Sequence, residues 1–167
     1  ELYVSIRMAN IVIARIGECT DITDFERRDF LGRAYFIRAY SYYTLMMQYG
    51  PVPIVPDQAF PTNASVDQMS YPRATYTECV EKICSDFEQA ASLLKAADER
   101  DASTYRIPTS GAALALMSRV RLEAASPWFN GNKYYYDFLR SSDNQPYFPQ
   151  NYDSHKWAVA AVAAKRV

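Results

Sequence analysis

Residues 31–55 read LGRAYFIRAYSYYTLMMQYGPVPIV, and they determine how this chain folds. Apolar and small residues recur there at helical spacing, which predicts a long amphipathic helix. Gly50 stands where a helix C-cap belongs, and Pro51 and Pro53 prevent the helix from continuing. We therefore predict a helix that ends at Tyr49, followed by a short extended piece.

Two predicted helix starts carry a capping box, in which the side chains of a Thr and of a Glu three residues later satisfy free backbone donors. Thr23 with Glu26 opens the long helix, and Thr75 with Glu78 opens another. These two helices are predicted over 24–49 and 76–97.

Three further helices follow from apolar periodicity. The helix over 110–125 is apolar nearly all round, which predicts a central and buried position. Gly17 is the expected C-cap of the first helix, and Asp153 or Ser154 is the expected N-cap of the last one. The first and last helices are predicted over 1–16 and from 154 to the C-terminus.

Together these signals predict an all-α fold, an antiparallel helical array resembling tetratricopeptide-type repeats, although no strict repeat period is present. No stretch shows convincing strand periodicity. We expect residues 1–167 to form a single helical domain with two long irregular loops, over 50–75 and 127–153. Loops of this length in a compact domain are usually functional, so they are the first places to look for a site.

Composition argues against several classes of protein. The 167 residues are 49% hydrophobic and carry a net charge of −1, so no basic surface for a nucleic-acid partner is expected. No apolar run is long enough to span a bilayer. Cys19, Cys79 and Cys84 match no metal or redox motif, and we expect all three to be buried or half-buried free thiols. Because the first residues already follow a helical pattern, we expect the chain to be a central part of a longer protein.

The sequence lacks a recognisable catalytic site. His155 is the single histidine, no Ser or Cys has a nucleophile setting, and no glycine-rich loop is suited to holding a phosphate. A carboxylate pair serves a glycoside hydrolase only at a defined separation in space, which a sequence does not reveal. We predict a protein that is not an enzyme and that uses no metal and no cofactor.

An aromatic loop is the main candidate for ligand contact. Residues 126–138 read SPWFNGNKYYYDF. Aromatic rings can stack on the C–H faces of sugars while amide and hydroxyl groups bond to sugar hydroxyls, so this composition suits glycan binding. The alternative is that the rings only pack the loop onto the helices. The candidate ligand contacts are Trp128, Phe129, Asn130, Asn132, Tyr134, Tyr135 and Tyr136.

Two polar residues, Asn10 and Arg38, fall within apolar helix faces. A buried arginine has to be paired, because an isolated buried charge is very unfavourable. We interpret Arg38 as an ion pair or backbone anchor that fixes a helix crossing, with ligand contact as the alternative. Asn10 is interpreted as a hydrogen-bond partner of a neighbouring helix or loop, and Gly50 as a structural cap.

Five segments, in the same order, resemble the SusD/RagB family of surface lipoproteins from Bacteroidota-type bacteria. The Arg-Ala pair in an aromatic helix, followed by Tyr-Gly and Val-Pro-Ile within 31–55, resembles the hallmark of that family. The other four segments are YVSIRMANIVIARI (3–16), YPRATYTECVEKICSDFEQAASLL (71–94), RIPTSGAALALMSRVRLEAASPWFNG (106–131) and KWAVAAVAAKRV (156–167).

The resemblance implies a non-catalytic glycan-binding protein that works with a SusC-like TonB-dependent transporter in nutrient uptake at the bacterial outer membrane. It implies a cell-surface location with membrane attachment through an N-terminal lipid anchor, which we expect to lie outside this chain. It implies that the protein binds no nucleic acid and uses no cofactor. The alternative is a helical scaffold that docks on the transporter, with the ligand site elsewhere in the longer protein or with a peptide as ligand.

Overall fold

The computed structural model describes residues 1–58, 61, 63–100 and 102–167, without the side chain of residue 102. Within these residues the chain forms six α-helices and several short 3₁₀ turns. The helices are α1 (Leu2–Arg15), α2 (Asp24–Tyr49), α3 (Val66–Met69), α4 (Tyr76–Leu93), α5 (Ser110–Ala125) and α6 (His155–Ala164). The prediction of an all-α fold is confirmed.

Consecutive long helices pack side by side: α1 on α2, α2 on α4, α4 on α5 and α5 on α6. Contacts near the helix ends show that neighbours are antiparallel. Arg28, early in α2, donates to the carbonyl of Ser92, late in α4, at 2.7 Å. Arg121, late in α5, pairs with Glu81, early in α4. The expected antiparallel array is therefore the observed architecture.

Capping boxes fix the starts of α2 and α4, as predicted. The Thr23 hydroxyl accepts from the Glu26 backbone N–H at 3.2 Å, and the Glu26 carboxylate accepts from the Thr23 N–H at 2.9 Å. Thr75 and Glu78 repeat the arrangement at α4. Because these local exchanges satisfy donors that no helical carbonyl can reach, the sequence signal and the observed start coincide.

The predicted end of α4 is wrong by four residues. The helix ends at Leu93, not at residue 97, and Leu94 turns to an extended conformation with φ −79° and ψ 151°. Leu94 is buried there, against α2 at Gly32. The packing of Leu94 against α2 therefore ends α4 earlier than the local sequence pattern predicts.

Gly17 is not the C-cap of α1. The helix ends at Arg15, and a 3₁₀ turn over Ile16–Glu18 follows it. The Arg27 guanidinium, reaching across from α2, donates to the carbonyls of Ile16 at 2.6 Å and of Cys19 at 2.9 Å. Since a side chain satisfies these carbonyls, a left-handed glycine is not needed to do so.

The expectation that α5 is buried all round is also wrong. Its inner face, with Ala113, Met117 and Val120, lies in the core, but Leu122 is 52% exposed. In a one-layer array a helix contacts the helix before it and the helix after it, so the remaining face stays open.

α6 begins at His155 with Ser154 as N-cap, and the Asp153 carboxylate accepts from the His155 N–H at 2.9 Å.

A buried polar network links α1, α2 and α4. The Arg38 guanidinium donates to both oxygens of Asp86 at 2.7 Å and to Asn10 Oδ1 at 2.7 Å. It also donates to Asp57, at 2.9 Å, in the loop after α2. Burial lowers the pKa of Arg38, but the hydrogen bonds to Asp86 and the charges of Asp86 and Asp57 together outweigh burial, so the pKa is raised. Asn10 in turn donates to the carbonyl of Pro56 at 2.9 Å.

The segment that follows Gly50 is fastened to the helices through its backbone. The Tyr42 hydroxyl accepts from the Val55 N–H at 3.0 Å. Arg73 donates to the carbonyls of Tyr49 at 3.1 Å and of Pro51 at 3.0 Å. A loop rich in proline offers carbonyls without matching N–H groups, and this arginine satisfies two of them.

The cysteines divide into two kinds. Cys79 and Cys84 are buried free thiols in α4, as expected, whereas Cys19 is exposed. That part of the prediction is wrong because the 3₁₀ turn after α1 carries Cys19 outward instead of under the helices.

Among the helices that the structure describes, none combines the length and the hydropathy needed to cross a bilayer.

Candidate functional site

The aromatic loop, which with its continuation spans residues 126–153, covers the end of the array at which α5 finishes and α4 and α6 begin. Phe129 stacks on Tyr76, the first residue of α4, with ring centroids 4.5 Å apart and planes 13° apart. The Tyr76 N–H donates to the carbonyl of Tyr147 at 2.8 Å. Both ends of the loop therefore contact the same helix start.

Phe148 is the centre of the rings that hold the loop together. Its ring lies 4.6 Å from that of Tyr135, 5.5 Å from Tyr76 and 6.0 Å from Phe129, measured between centroids. Offset and tilted ring pairs of this kind add to the stabilisation that burial alone provides. These particular rings therefore pack the loop onto the helices, as the alternative interpretation of the sequence expected.

The neck of the loop is closed by an exchange between Asn130 and Asp153. The buried Asn130 side chain donates to the Asp153 carbonyl at 2.8 Å and accepts from the Asp153 N–H at 3.0 Å. Gly131 has φ +79°, and a Cβ there would lie 2.4 Å from the backbone nitrogen of Tyr152. The backbone at residue 131 therefore lies so close to the backbone at residues 151–152 that a side chain at residue 131 has no room.

Asn132 holds the short 3₁₀ turn Lys133–Tyr135. Its side-chain oxygen accepts from the Tyr134 N–H at 2.9 Å, and its amide donates to the Trp128 carbonyl at 3.2 Å. Both polar groups of this candidate therefore bond within the loop, and they fix the backbone that carries Trp128 and Tyr134.

Three of the candidate rings are turned outward: Trp128 is 58% exposed, Tyr134 83% and Tyr136 68%. Trp128 and Tyr134 each lie edge-on to the half-buried Tyr135, with centroids 6.0 Å away in both cases. We call Trp128, Tyr134 and Tyr136 the aromatic surface. Rings held from beneath by another ring are already oriented before a ligand arrives, which reduces the entropy lost on binding.

The seven candidates thus occupy different places. Phe129 and Asn130 lie in the interior of the loop, Tyr135 supports its neighbours, Asn132 holds the turn, and the remaining three form the aromatic surface. Tyr76 is an anchor that sequence reasoning missed as part of this loop. The signal for it was weak, since an aromatic residue at the first position of a helix gives no indication of its partners.

Two carboxylates near the loop, Glu81 and Glu78, are held by an ion pair and a helix cap. The Arg121 guanidinium holds the pKa of Glu81 below its usual range. The Thr75 N–H lowers the pKa of Glu78, and Arg140 adds to the effect. A general acid requires the opposite shift, toward a pKa near the working pH. No group of His, Cys, Asp or Glu side chains in the described part of the chain is placed to hold a metal ion.

Comparison with known proteins assigns the family. Residues 1–122 match the model of a SusD-like family described as starch-binding and associating with the outer membrane. The chain therefore belongs to the SusD-like family. No curated protein is a significant match for its sequence. The family is described by binding and not by a reaction, in agreement with the prediction that the chain is not an enzyme.

Solved structures show the same fold. The structure named BT4246 matches 99% of this chain and 28% of its own, with TM-score 0.83 and 24% identity. A SusD-like protein from Bacteroides fragilis matches 74% of this chain and 23% of its own, with TM-score 0.65 and 30% identity. A laminarin-binding SusD-like protein matches 74% of this chain and 25% of its own, with TM-score 0.65 and 19% identity. The chain spans about a quarter of the length of these structures.

Proposed function

We propose that this protein binds glycans without transforming them and passes them to a SusC-like TonB-dependent transporter at the outer membrane. The observation that carries the proposal is the family match over residues 1–122, whose description joins starch binding with the outer membrane. A structural relative is named for binding laminarin, a glycan. A cell-surface location with a lipid anchor in the longer protein accompanies this role.

The aromatic surface is the part of this chain that we assign to ligand contact. It lies beyond the residues that the family model matches, so it rests on chemistry. Trp128 and Tyr134 present broad, outward-facing rings on a supported backbone. Such rings stack on the C–H faces of sugars, and the tyrosine hydroxyls can bond to sugar hydroxyls.

The test is calorimetric titration with a panel of polysaccharides, for the wild type and for Trp128→Ala. We expect at least one glycan to bind, and the variant to bind it at least about tenfold more weakly, which corresponds to ~1.4 kcal/mol. Tyr105→Ala is the matched control, because Tyr105 is 89% exposed but lies before α5, at the opposite end of that helix. Equal affinity of Trp128→Ala and wild type would remove the aromatic surface from the site.

The alternative function is a helical scaffold that docks on the transporter, with the ligand site elsewhere or with a peptide as ligand. The observation that favours it is an apolar groove between α1 and α2, lined by Val4, Met8, Phe30 and Ile37, all exposed. Exposed apolar surface of this kind marks protein contacts. Binding of the panel by the longer protein, with none by this chain, would favour the scaffold.

A further inference from the structure

A cleft of about 250 Å³ lies between α4, α5 and the first turn of α6. Its apolar wall consists of Val80, Ala124 and Val159, one residue from each helix. Ligand sites combine such apolar walls with a few polar groups, and a drug-sized ligand needs a cavity of about 300–1,000 Å³. The volume here therefore suits one small unit, such as a single sugar ring.

Both carboxylates that line the cleft are already engaged. Glu81 accepts two hydrogen bonds from the Arg121 guanidinium, at 2.5 Å and 2.9 Å. Asp153 accepts from the His155 N–H at 2.9 Å and so caps α6. Arg121 balances the charge of Glu81, because ionised groups that pair at such distances attract each other strongly. The backbone N–H holds the Asp153 carboxylate in place at the start of α6 without cancelling its charge.

Lys156 is the cation of the cleft that has no such partner. Its ammonium makes no hydrogen bond or ion pair with the described residues, although the side chain is partly buried. Burial lowers the pKa of Lys156, and the more distant charges of Asp153 and Glu81 oppose this shift. A half-buried ammonium without a partner has lost water contacts that no protein group replaces.

The start of α6 adds a second attraction for negative charge. Ser154, the N-cap residue, makes no side-chain cap hydrogen bond. The Asp153 carboxylate takes the His155 N–H, and the next N–H group, that of Lys156, stays open toward the cleft. The free N–H groups and the dipole of a helix give its N-terminus a partial positive charge, which favours anions. Lys156 stands in that first turn, so both positive groups face the same space.

We infer that this cleft binds the carboxylate of an acidic sugar, with the Lys156 ammonium as its main donor. The sugar ring lies against the apolar wall, and the Lys156 N–H at the start of α6 faces the negative charge. The inference rests on the proposed function for the saccharide nature of the ligand, and it goes beyond it by naming a second site and the class of sugar.

The cleft adjoins the base of the aromatic loop. Tyr76 lines the cleft and stacks on Phe129 of the loop. Asp153 lines the cleft and bonds to Asn130 at the neck of the loop. The cleft therefore lies at the base of the loop that carries the aromatic surface.

Nuclear magnetic resonance provides a separate reporter for each site, because the chain has two tryptophans. The Trp128 indole reports on the aromatic surface, and the Trp157 indole reports on the first turn of α6. The protein is titrated separately with sodium glucuronate, with glucose as the neutral counterpart, with sodium acetate as the carboxylate without a ring, and with a neutral oligosaccharide.

We expect glucuronate, but not glucose, to shift Trp157 and the backbone amides of His155 and Lys156. Lys156→Gln should weaken glucuronate binding at least about tenfold. Lys165→Gln, at the exposed C-terminal end of the same helix, is the matched control and should bind as the wild type does.

The outcomes for the cleft and for the aromatic surface can be told apart. Equal responses to glucose and glucuronate, or unchanged affinity in Lys156→Gln, overturn the inference, and so does acetate binding as tightly as glucuronate. If the neutral oligosaccharide then still shifts Trp128, the proposed function stands without the cleft. If glucuronate shifts Trp157 while no neutral glycan shifts Trp128, the cleft stands and the aromatic surface does not.

Discussion

Arg38 shows how one charged residue can be accommodated inside an apolar helix face. Its guanidinium is buried, and each of its three nitrogens donates to a side chain of another element. The planar fork of arginine matches the two oxygens of a carboxylate, which a lysine ammonium does not. The residue therefore fixes how α1, α2 and α4 meet.

Arg38→Met should destabilise the protein by about 3–5 kcal/mol, because Asp86 would be left buried without its main partner. Urea unfolding followed by circular dichroism measures the loss. Arg166→Met is the control, since it removes the exposed ion pair between Arg166 and Glu88, whose expected contribution is below about 1 kcal/mol.

The double variant Arg38→Met with Asp86→Leu tests the reason for this loss. Removing both charges leaves no unpaired buried ion, so the double variant should recover much of the stability that the single variant loses. A double variant less stable than Arg38→Met would show that the arginine acts through something other than its pairing with Asp86.

At the scale of the helices, α2 and the end of α4 meet closely at Gly32. A Cβ on Gly32 would lie 3.0 Å from Leu93 Cβ and 2.9 Å from Leu94 Cγ. In a helix interior, alanine is normally more stabilising than glycine by about 1 kcal/mol. Here the rigid Leu93 Cβ opposes the added methyl group, so the helices have to move apart.

Gly32→Ala should therefore destabilise the protein by about 1–3 kcal/mol despite its helix propensity. Thermal unfolding is the measurement. Gly111→Ala, at the second residue of α5, is the matched control because its Cβ meets its nearest neighbour at 3.9 Å, and it should leave the melting temperature unchanged or raise it. A stabilised Gly32→Ala would mean that the two helices do not approach as closely as described.

Helix starts were predictable from sequence to a greater degree than helix ends. The starts of α2 and α4 depend on residues three apart, Thr23 with Glu26 and Thr75 with Glu78, so the signal is local. The end of α4 depends on Leu94 packing against α2, and that contact joins residues far apart in sequence. No local pattern contains this information.

The aromatic loop was predictable as a site of interest, but not in its internal arrangement. Trp128 and Phe129 are adjacent, yet one is exposed and the other stacks on Tyr76. In a helix or strand, periodicity would have separated them. An irregular loop has no period, and its side chains are sorted by contacts such as the Asn130–Asp153 exchange, which only the folded chain brings together.

At the scale of the whole molecule, the cysteines report on global unfolding. Cys79 and Cys84 are buried in the core, and burial raises the pKa of Cys84 to about 12. The thiolate is the reactive form of cysteine, so both residues are protected by exclusion of reagent and by protonation. Cys19 lies at the surface, where a reagent can reach it.

A thiol reagent should therefore label one cysteine rapidly in the native protein and the other two at the rate of unfolding. Mass spectrometry of quenched samples counts the labels and locates them. Cys19→Ser is the control, and it should abolish the rapid label while leaving the slow ones. Rapid labelling of three thiols in the native protein would contradict the described core.

The closed neck at Gly131 has a consequence for how this loop can change over evolution. Asn130, Gly131 and Asp153 fasten the base of the loop, and Arg140 pairs with Glu78 in α4, so the exposed apex of the loop is the turn over 141–145. Exposed loop tips of this kind tolerate inserted residues. The apex can thus lengthen or acquire new side chains beside the proposed ligand surface while the array and the supported rings stay in place, so related chains can vary this loop without rebuilding the scaffold.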